Sequence, residues 1–158
     1  LLVGLSRILA AIGAQSEIEN PFAGLTKGEM FRNGAEIYGK TQVSQFLSAT
    51  HSCGLTGQRA FGVSVSMHCG VCFGCVVRRA SFAAADLHDL TAYASDTATG
   101  RLKTWLDSKT VLPDIRGFVR RGVGAADLAA LSLPDSFTMA TARDICERAS
   151  GELKGYIG

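Results

Sequence analysis

Residues 68–75 read HCGVCFGC, and with Cys53 upstream they set out the spacing C-x15-C-x2-C-x2-C over Cys53, Cys69, Cys72 and Cys75. No other feature of the chain restricts its folding options so strongly. Four thiolates suit a tetrahedral zinc ion, and a closed four-cysteine site keeps no coordination position open, so its role is structural. The chain has five cysteines, an odd number that argues against a complete disulfide framework. Disulfide scaffolds also spread their bridges to tie distant loops, whereas dense C-x-x-C spacing inside a cell favours a metal. Gly70 and Gly74 interleave with the cysteines and permit the tight backbone that turns successive sulfurs toward one point. Backbone N–H groups in such turns also offset the negative charge on sulfur.

Other readings of the cluster stay open at this stage. Bacterial ferredoxins use a similar C-x2-C-x2-C run for an iron–sulfur cluster, but with a nearby fourth cysteine followed by proline, whereas Val76 follows Cys75. A catalytic thiol fits less well, because every clustered cysteine has ligand work. His51 and His68 stand beside the cluster as substitute ligands; the plainer role for each is a hydrogen-bonded or solvent-facing histidine. The fifth cysteine, Cys146, falls on a helical repeat with Ala142, Ile145, Ala149, Leu153 and Ile157, which predicts a small buried residue on an apolar stripe.

The chain is 47% hydrophobic and 19% charged over 158 residues, enough for a buried core and unlike a disordered segment. A net charge of +2 is too small to argue for nucleic acid on electrostatics alone. No apolar run approaches the roughly 20 residues of a membrane helix, so no membrane partner is expected. With the clustered thiols, this leads us to expect a cytoplasmic protein. The opening LLVGLSRILAAIG lacks a basic region ahead of its apolar part and reads as an internal helix of something longer, not a signal peptide.

Along the chain, residues 1–13 have helical texture, and 16–22 alternate in the manner of a short strand ending at Pro21. Thr26 and Glu29 form a capping box that opens a helix carrying Met30, Phe31, Ile37 and Tyr38, with Gly39 as its stop. Residues 50–75 are glycine-rich and irregular; a helix is predicted from Val76 to Ala85, and 86–95 read as a loop. Beyond residue 96 the pattern predicts short helical pieces broken by Pro113, Gly117, Gly122 and Pro134, with a final helix from near Ser136 or Thr138. No internal repeat is visible. The fold class expected is mainly α with a zinc-stapled loop. A soft boundary at 94–100 separates residues 1–95 from a helical extension over 96–158, without two independent cores.

The stretch THSC followed by CGVCFGCVVRRASFAAADLHDLTAY resembles the C-terminal part of the 7-cyano-7-deazaguanine synthase (QueC) family. Thr50, Ser52 and Cys53 match a T-x-S-C context, and Cys69, Gly70, Cys72 and Cys75 match C-G-x-C-x-x-C. Arg78, Arg79, Ala80 and Phe82 follow, then Asp89, Thr91 and Tyr93 of a D-x-T-x-Y ending. Upstream, Pro21, Thr26, Lys27, Glu29 and Met30 resemble the family's proline and T-K-x-E helix start. The likeness covers about residues 18–95. The longer gap before Cys69, Ser81 splitting the A-F pair, Ala85 in place of a glycine, and the long continuation after Tyr93 point to a divergent branch, such as those in antiphage defence gene clusters.

The resemblance implies a ligase of the α/β adenine-nucleotide alpha-hydrolase-like fold, using ATP and Mg2+ on 7-carboxy-7-deazaguanine in queuosine biosynthesis. Activation of the carboxylate, attack by ammonia and dehydration to a nitrile would follow. It implies a structural zinc beside the substrate pocket, with Arg78, Arg79 and Lys27 as candidate contacts to phosphate or carboxylate. A solvated helix face or a carbonyl contact is the alternative for each arginine, and a surface position for Lys27. Asp89 and Tyr93 read as loop staples. The family's pyrophosphate loop, S-G-G-x-D-S, is absent from this sequence, and RRGVGA at 120–125 reads as a turn. The nucleotide-binding half is therefore expected outside this chain, and the chain alone is expected to be inactive. A homodimer or an operon-encoded protein partner is compatible with this reading. From a different class, a stand-alone zinc-stapled module would bind protein or nucleic acid, the run RGFVRR at 116–121 being the feature that favours the latter.

Overall fold

Helix α1 (Leu2–Ala11) leads into a turn at residues 21–24, after which the capping box opens α2 (Lys27–Tyr38). The computed structural model describes residues 2–14, 18–131, 133 and 137–158. The strand expected over 16–22 does not form in its described part. There the Asn20 side chain accepts the Phe22 amide at 3.1 Å and the Asn20 carbonyl accepts the Ala23 amide at 3.1 Å, so Asn-Pro turn chemistry overrides the alternation. Residues 16 and 17 lie outside the described residues. Leu5 and Ile8 of α1 stay exposed.

The Thr26 hydroxyl accepts the Glu29 amide at 3.2 Å, and the Glu29 carboxylate accepts the Thr26 amide at 2.8 Å, as the sequence predicts. Gly39, at a φ of 86°, stops α2 and immediately starts α3 (Lys40–Ser48), a helix that no cap or apolar repeat in the sequence marks. Val43 and Leu47, one turn apart, face inward from α3 and pack with Phe31 and Ala35 of α2.

Helix α4 (Phe73–Ala84) is the centre of the molecule, with α2 against one side and α9 (Met139–Ile157) against another. It begins three residues ahead of the expected Val76, because Cys72 takes the extended N-cap conformation and draws Cys75 into the first turn. Phe82 meets Phe31 edge-on at 5.1 Å, and Ala85 and Leu87 close this cluster. Among the described residues there is no strand, only an isolated parallel bridge between His68 and Tyr93.

A second cluster gathers Cys69, Cys75, Tyr93, Ala94 and Leu106, with Leu102 and Trp105 against it. It draws on α5 (Ala94–Thr97) and α6 (Gly100–Asp107), so the later region completes the core around the cysteines. Pro113 and Gly117 do not break the chain as expected; both lie inside α7 (Val111–Arg121). Pro113 occupies the third helical position, where an amide has no intrahelical partner to lose. Gly122, at a φ of 76°, does end α7, and the short α8 (Ala125–Ala129) follows. Pro134 and Ser136 lie outside the described residues, and α9 starts behind the Thr138 cap.

Two side chains of α9 strap it to the start of α2. The Glu152 carboxylate accepts from the Thr26 hydroxyl and, at 3.1 Å, from the Gly28 amide. Arg148 pairs with Glu29 and donates to the Gly24 carbonyl at 2.9 Å.

Candidate metal centre

The four sulfurs arrive from three pieces of chain. Cys53 comes from the loop after α3, Cys69 from the loop before α4, Cys72 caps α4 and Cys75 sits in its first turn. Cys69 and Cys75 sulfurs stand 3.8 Å apart, Cys53 and Cys72 sulfurs 4.0 Å apart, and all four lie within 4.8 Å of one another. A tetrahedral ion with Zn–S bonds of about 2.3 Å requires sulfur–sulfur edges of about 3.8 Å. The residues therefore fit the metal that their chemistry suggests. All five cysteines are free thiols.

The backbone is arranged for thiolates. The Cys69 amide donates to the Cys53 sulfur at 3.3 Å, and the Val71 and Cys72 amides donate to the Cys69 sulfur at 3.4 and 3.2 Å. The N-terminus of α4, the positive end of its dipole, points its first turn at the same cluster. The hydrogen bond from Cys75, then the two amides, hold the Cys69 thiol well below its usual range. That same contact and burial push Cys75 up. Burial also raises Cys53.

Two glycines let these pieces meet, for different reasons. Gly70 adopts a left-handed φ of 84°, and a Cβ there would strike the Ser95 hydroxyl at 1.9 Å. Gly74 is ordinary helix, but a Cβ would stand 2.2 Å from the Ser52 carbonyl oxygen, next door to Cys53.

Both histidines stay outside the sulfur set. His68 is 2% exposed, its ring tilted against that of His51 at 4.3 Å, with Nδ1 4.0 Å from the Cys75 sulfur. Burial, then the charges of His51 and Arg78, push its pKa down to about 4, which keeps the ring neutral. Its amide donates to the Ala92 carbonyl at 3.0 Å, tying the cysteine loop to the D-x-T-x-Y segment. Asp89 staples that segment: it accepts the Thr91 amide at 3.0 Å and the Tyr93 hydroxyl at 2.6 Å. Gln58, which no sequence signal marked, donates to the Met67 carbonyl at 3.0 Å and reaches the Cys53 sulfur at 4.0 Å.

The three candidate substrate residues do not line one cavity. Arg78 is 1% exposed, and its guanidinium is spent inside the fold. It donates to Thr91 at 3.1 Å, to Thr50 at 3.0 Å, to Ser52 at 3.5 Å and to the Leu47 carbonyl. The sequence made Arg78 a candidate substrate contact; in the fold its guanidinium is engaged by Leu47, Thr50, Ser52 and Thr91. Arg79 Nη2 donates to both Asp96 carboxylate oxygens at 2.6 and 2.7 Å, and its guanidinium lies over the Tyr93 ring at 3.8 Å. Burial opposes its charge, but the bonds to Asp96 and Tyr156 outweigh that and hold its proton more tightly than usual. Lys27 is half-buried over the Phe31 ring, and burial, then Arg78, lower its pKa. The anion position at the start of its helix is filled by Glu152.

The fold and site together define a mainly helical protein organised around a four-cysteine cluster that can hold a metal ion such as zinc. No protein-family model matches this chain, and neither a curated protein nor a solved structure does. No helix among the described residues is long and apolar enough to cross a membrane.

Proposed function

We propose that Cys53, Cys69, Cys72 and Cys75 hold one structural Zn2+, and that the chain is the zinc-bearing part of a QueC-like ATP-dependent ligase. The observation that carries the first part is the tetrahedral spacing of the sulfurs, 3.8 and 4.0 Å along two edges. With four thiolates around it the ion has no open position, so it supplies cross-linking rather than Lewis acidity. The second part is supported by how the residues of the resemblance converge. Thr50, Ser52 and Thr91 all receive hydrogen bonds from Arg78, and Asp89 and Tyr93 close the same loop. These positions are far apart in sequence and form one network in space.

In this reading ATP, Mg2+ and the 7-deazaguanine carboxylate bind across a cleft whose nucleotide-binding side lies outside this chain. Lys27 is the candidate anion contact, since Arg78 is consumed internally and Arg79 is paired. A zinc-stapled binding module is the second reading, and it is favoured by those same engaged arginines.

Metal analysis of the purified chain tests the zinc centre: about one zinc per chain is expected, and a metal-free or iron-rich preparation overturns it. Reading the gene upstream of Leu1 tests the ligase: a strand followed by S-G-G-x-D-S supports it, and its absence leaves the binding module. The 158 residues alone should release no pyrophosphate from ATP, and release would contradict the assignment of the nucleotide half elsewhere.

A further inference from the structure

The run RGFVRR divides its work in three dimensions. Arg121 is committed: it forks onto Asp127 at 2.7 and 3.1 Å and lies over Phe118 at 5.2 Å. Arg116 and Arg120, one turn apart on α7, instead line a groove of about 420 Å3 together with Lys154 of α9 and Gly158. Val119 and Ile157 form its apolar floor. None of the three cations has an acidic partner among the described residues.

The local charge balance favours an anion. Three cations converge where α7 and α9 both end, and each helix C-terminus carries about half a negative charge. The balance is about +2, and a carboxylate at Gly158 would still leave it about +1. Cations placed only to cap two helix ends would not need to exceed the two dipoles so far. The aromatic ring of the run turns away: Phe118 lines a different, apolar groove with Val111 and Leu153. A stacking platform for a single strand is therefore missing, while a compact anion with an apolar body fits the volume.

We propose that Arg116, Arg120 and Lys154 form a binding site for a mononucleotide-sized phosphate ester, its phosphates on the three cations and its body on Val119 and Ile157. The site is separate from the zinc centre and does not depend on the ligase reading.

The test titrates the zinc-loaded chain with ADP, with inorganic phosphate and with a short single-stranded RNA, following backbone amide shifts. ADP should saturate, with shifts confined to residues 116–120 and 154–157. Inorganic phosphate, which leaves the floor uncovered, should bind more weakly than ADP. Arg116→Gln and Arg120→Gln should each weaken ADP binding by about tenfold or more, since each removes charge-assisted hydrogen bonds. Arg121→Gln removes the same charge from the same helix and should stay within about twofold, because its guanidinium is already paired. The proposal fails if ADP does not saturate, if phosphate matches ADP, if only RNA binds, or if Arg121→Gln weakens binding as much as Arg120→Gln.

Discussion

Replacing Gly74 by alanine sets two physical effects against each other. Gly74 occupies the second position of α4, and alanine there gains about 1 kcal/mol of helix propensity over glycine. Against this, the new Cβ would sit 2.2 Å from the Ser52 carbonyl oxygen, where carbon and oxygen need roughly 3.3 Å. One side must retreat by about 1.1 Å, and the obstacle is backbone, not a side chain that can rotate away. Ser52 immediately precedes Cys53, so the retreat carries that sulfur from its 4.0 Å separation from Cys72 toward about 5 Å. Metal–ligand distances in well-formed sites stay within about 0.2 Å of their ordinary values. The steric effect wins. Gly74→Ala should weaken zinc binding by about a hundredfold, read by competition against a chromophoric chelator. The control is Gly151→Ala in the middle of α9, where a Cβ meets nothing within 4 Å; zinc affinity should hold while stability rises by about 1 kcal/mol. Wild-type zinc affinity in Gly74→Ala, with raised stability, would refute the close-approach argument.

Arg78→Lys keeps the charge but loses the fork to Leu47, Thr50, Ser52 and Thr91; urea denaturation should show a loss of about 3 kcal/mol, and a loss below about 1 would mean the network is dispensable. Arg148→Met should lower the melting temperature at neutral pH by releasing α9 from Glu29 and the Gly24 carbonyl. The Arg148 hydrogen bond, then the Thr26 amide, hold the Glu29 carboxyl below its usual range, so its stabilising contribution is full above about pH 4.3 and lost as pH falls through the lower folded value. The variant should accordingly lose less on acidification than the parent does, and equal acid sensitivity would count against the pair. Cys146→Ser should leave the zinc content unchanged, whereas serine at Cys53, Cys69, Cys72 or Cys75 should reduce it; Cys146 lies in an apolar groove beside α7, away from the cluster.

What could be read from the sequence was local chemistry. The Thr26–Glu29 box, the Gly39 stop and the C-x-x-C set each depend on spacing within a few residues, and all three stand in the fold. The convergence of Cys53 with the later cysteines was expected from valence, since four sulfurs complete a tetrahedron where three do not, and from the T-x-S-C context of the resemblance. What was missed depends on distant neighbours. Helix α3 shows inward faces at Val43 and Leu47 only because Phe82 and Leu87 lie across from them, and its other apolar residue, Phe46, is 71% exposed. Arg78 and Arg79 are adjacent in sequence and alike in chemistry. Helical geometry turns one into a buried ring of hydroxyls and the other toward Asp96, a separation that no pattern of residue types encodes. Pro113 read as a breaker because the start of α7 was not located, and a proline one turn later would have been one.

The loop at 50–53 shows why the cysteine cluster and the arginine belong to one design. Residues 50–56 have no helix or strand of their own, and glycines stand within and after them at 54, 57 and 62. Local backbone hydrogen bonds therefore cannot order this stretch against its conformational entropy. It is held at three neighbouring points: Arg78 takes the Thr50 and Ser52 hydroxyls, Gly74 lets the Ser52 carbonyl approach α4, and Cys53 joins the sulfur cluster. All three anchors come from or end on α4. Removing the metal releases Cys53 but leaves Arg78 in place, so the loop should loosen from its 53–67 end while residues 50–52 stay docked. Amide hydrogen exchange of the zinc-free chain would show that gradient, and uniform exchange across 50–67 would mean that the metal alone orders the loop.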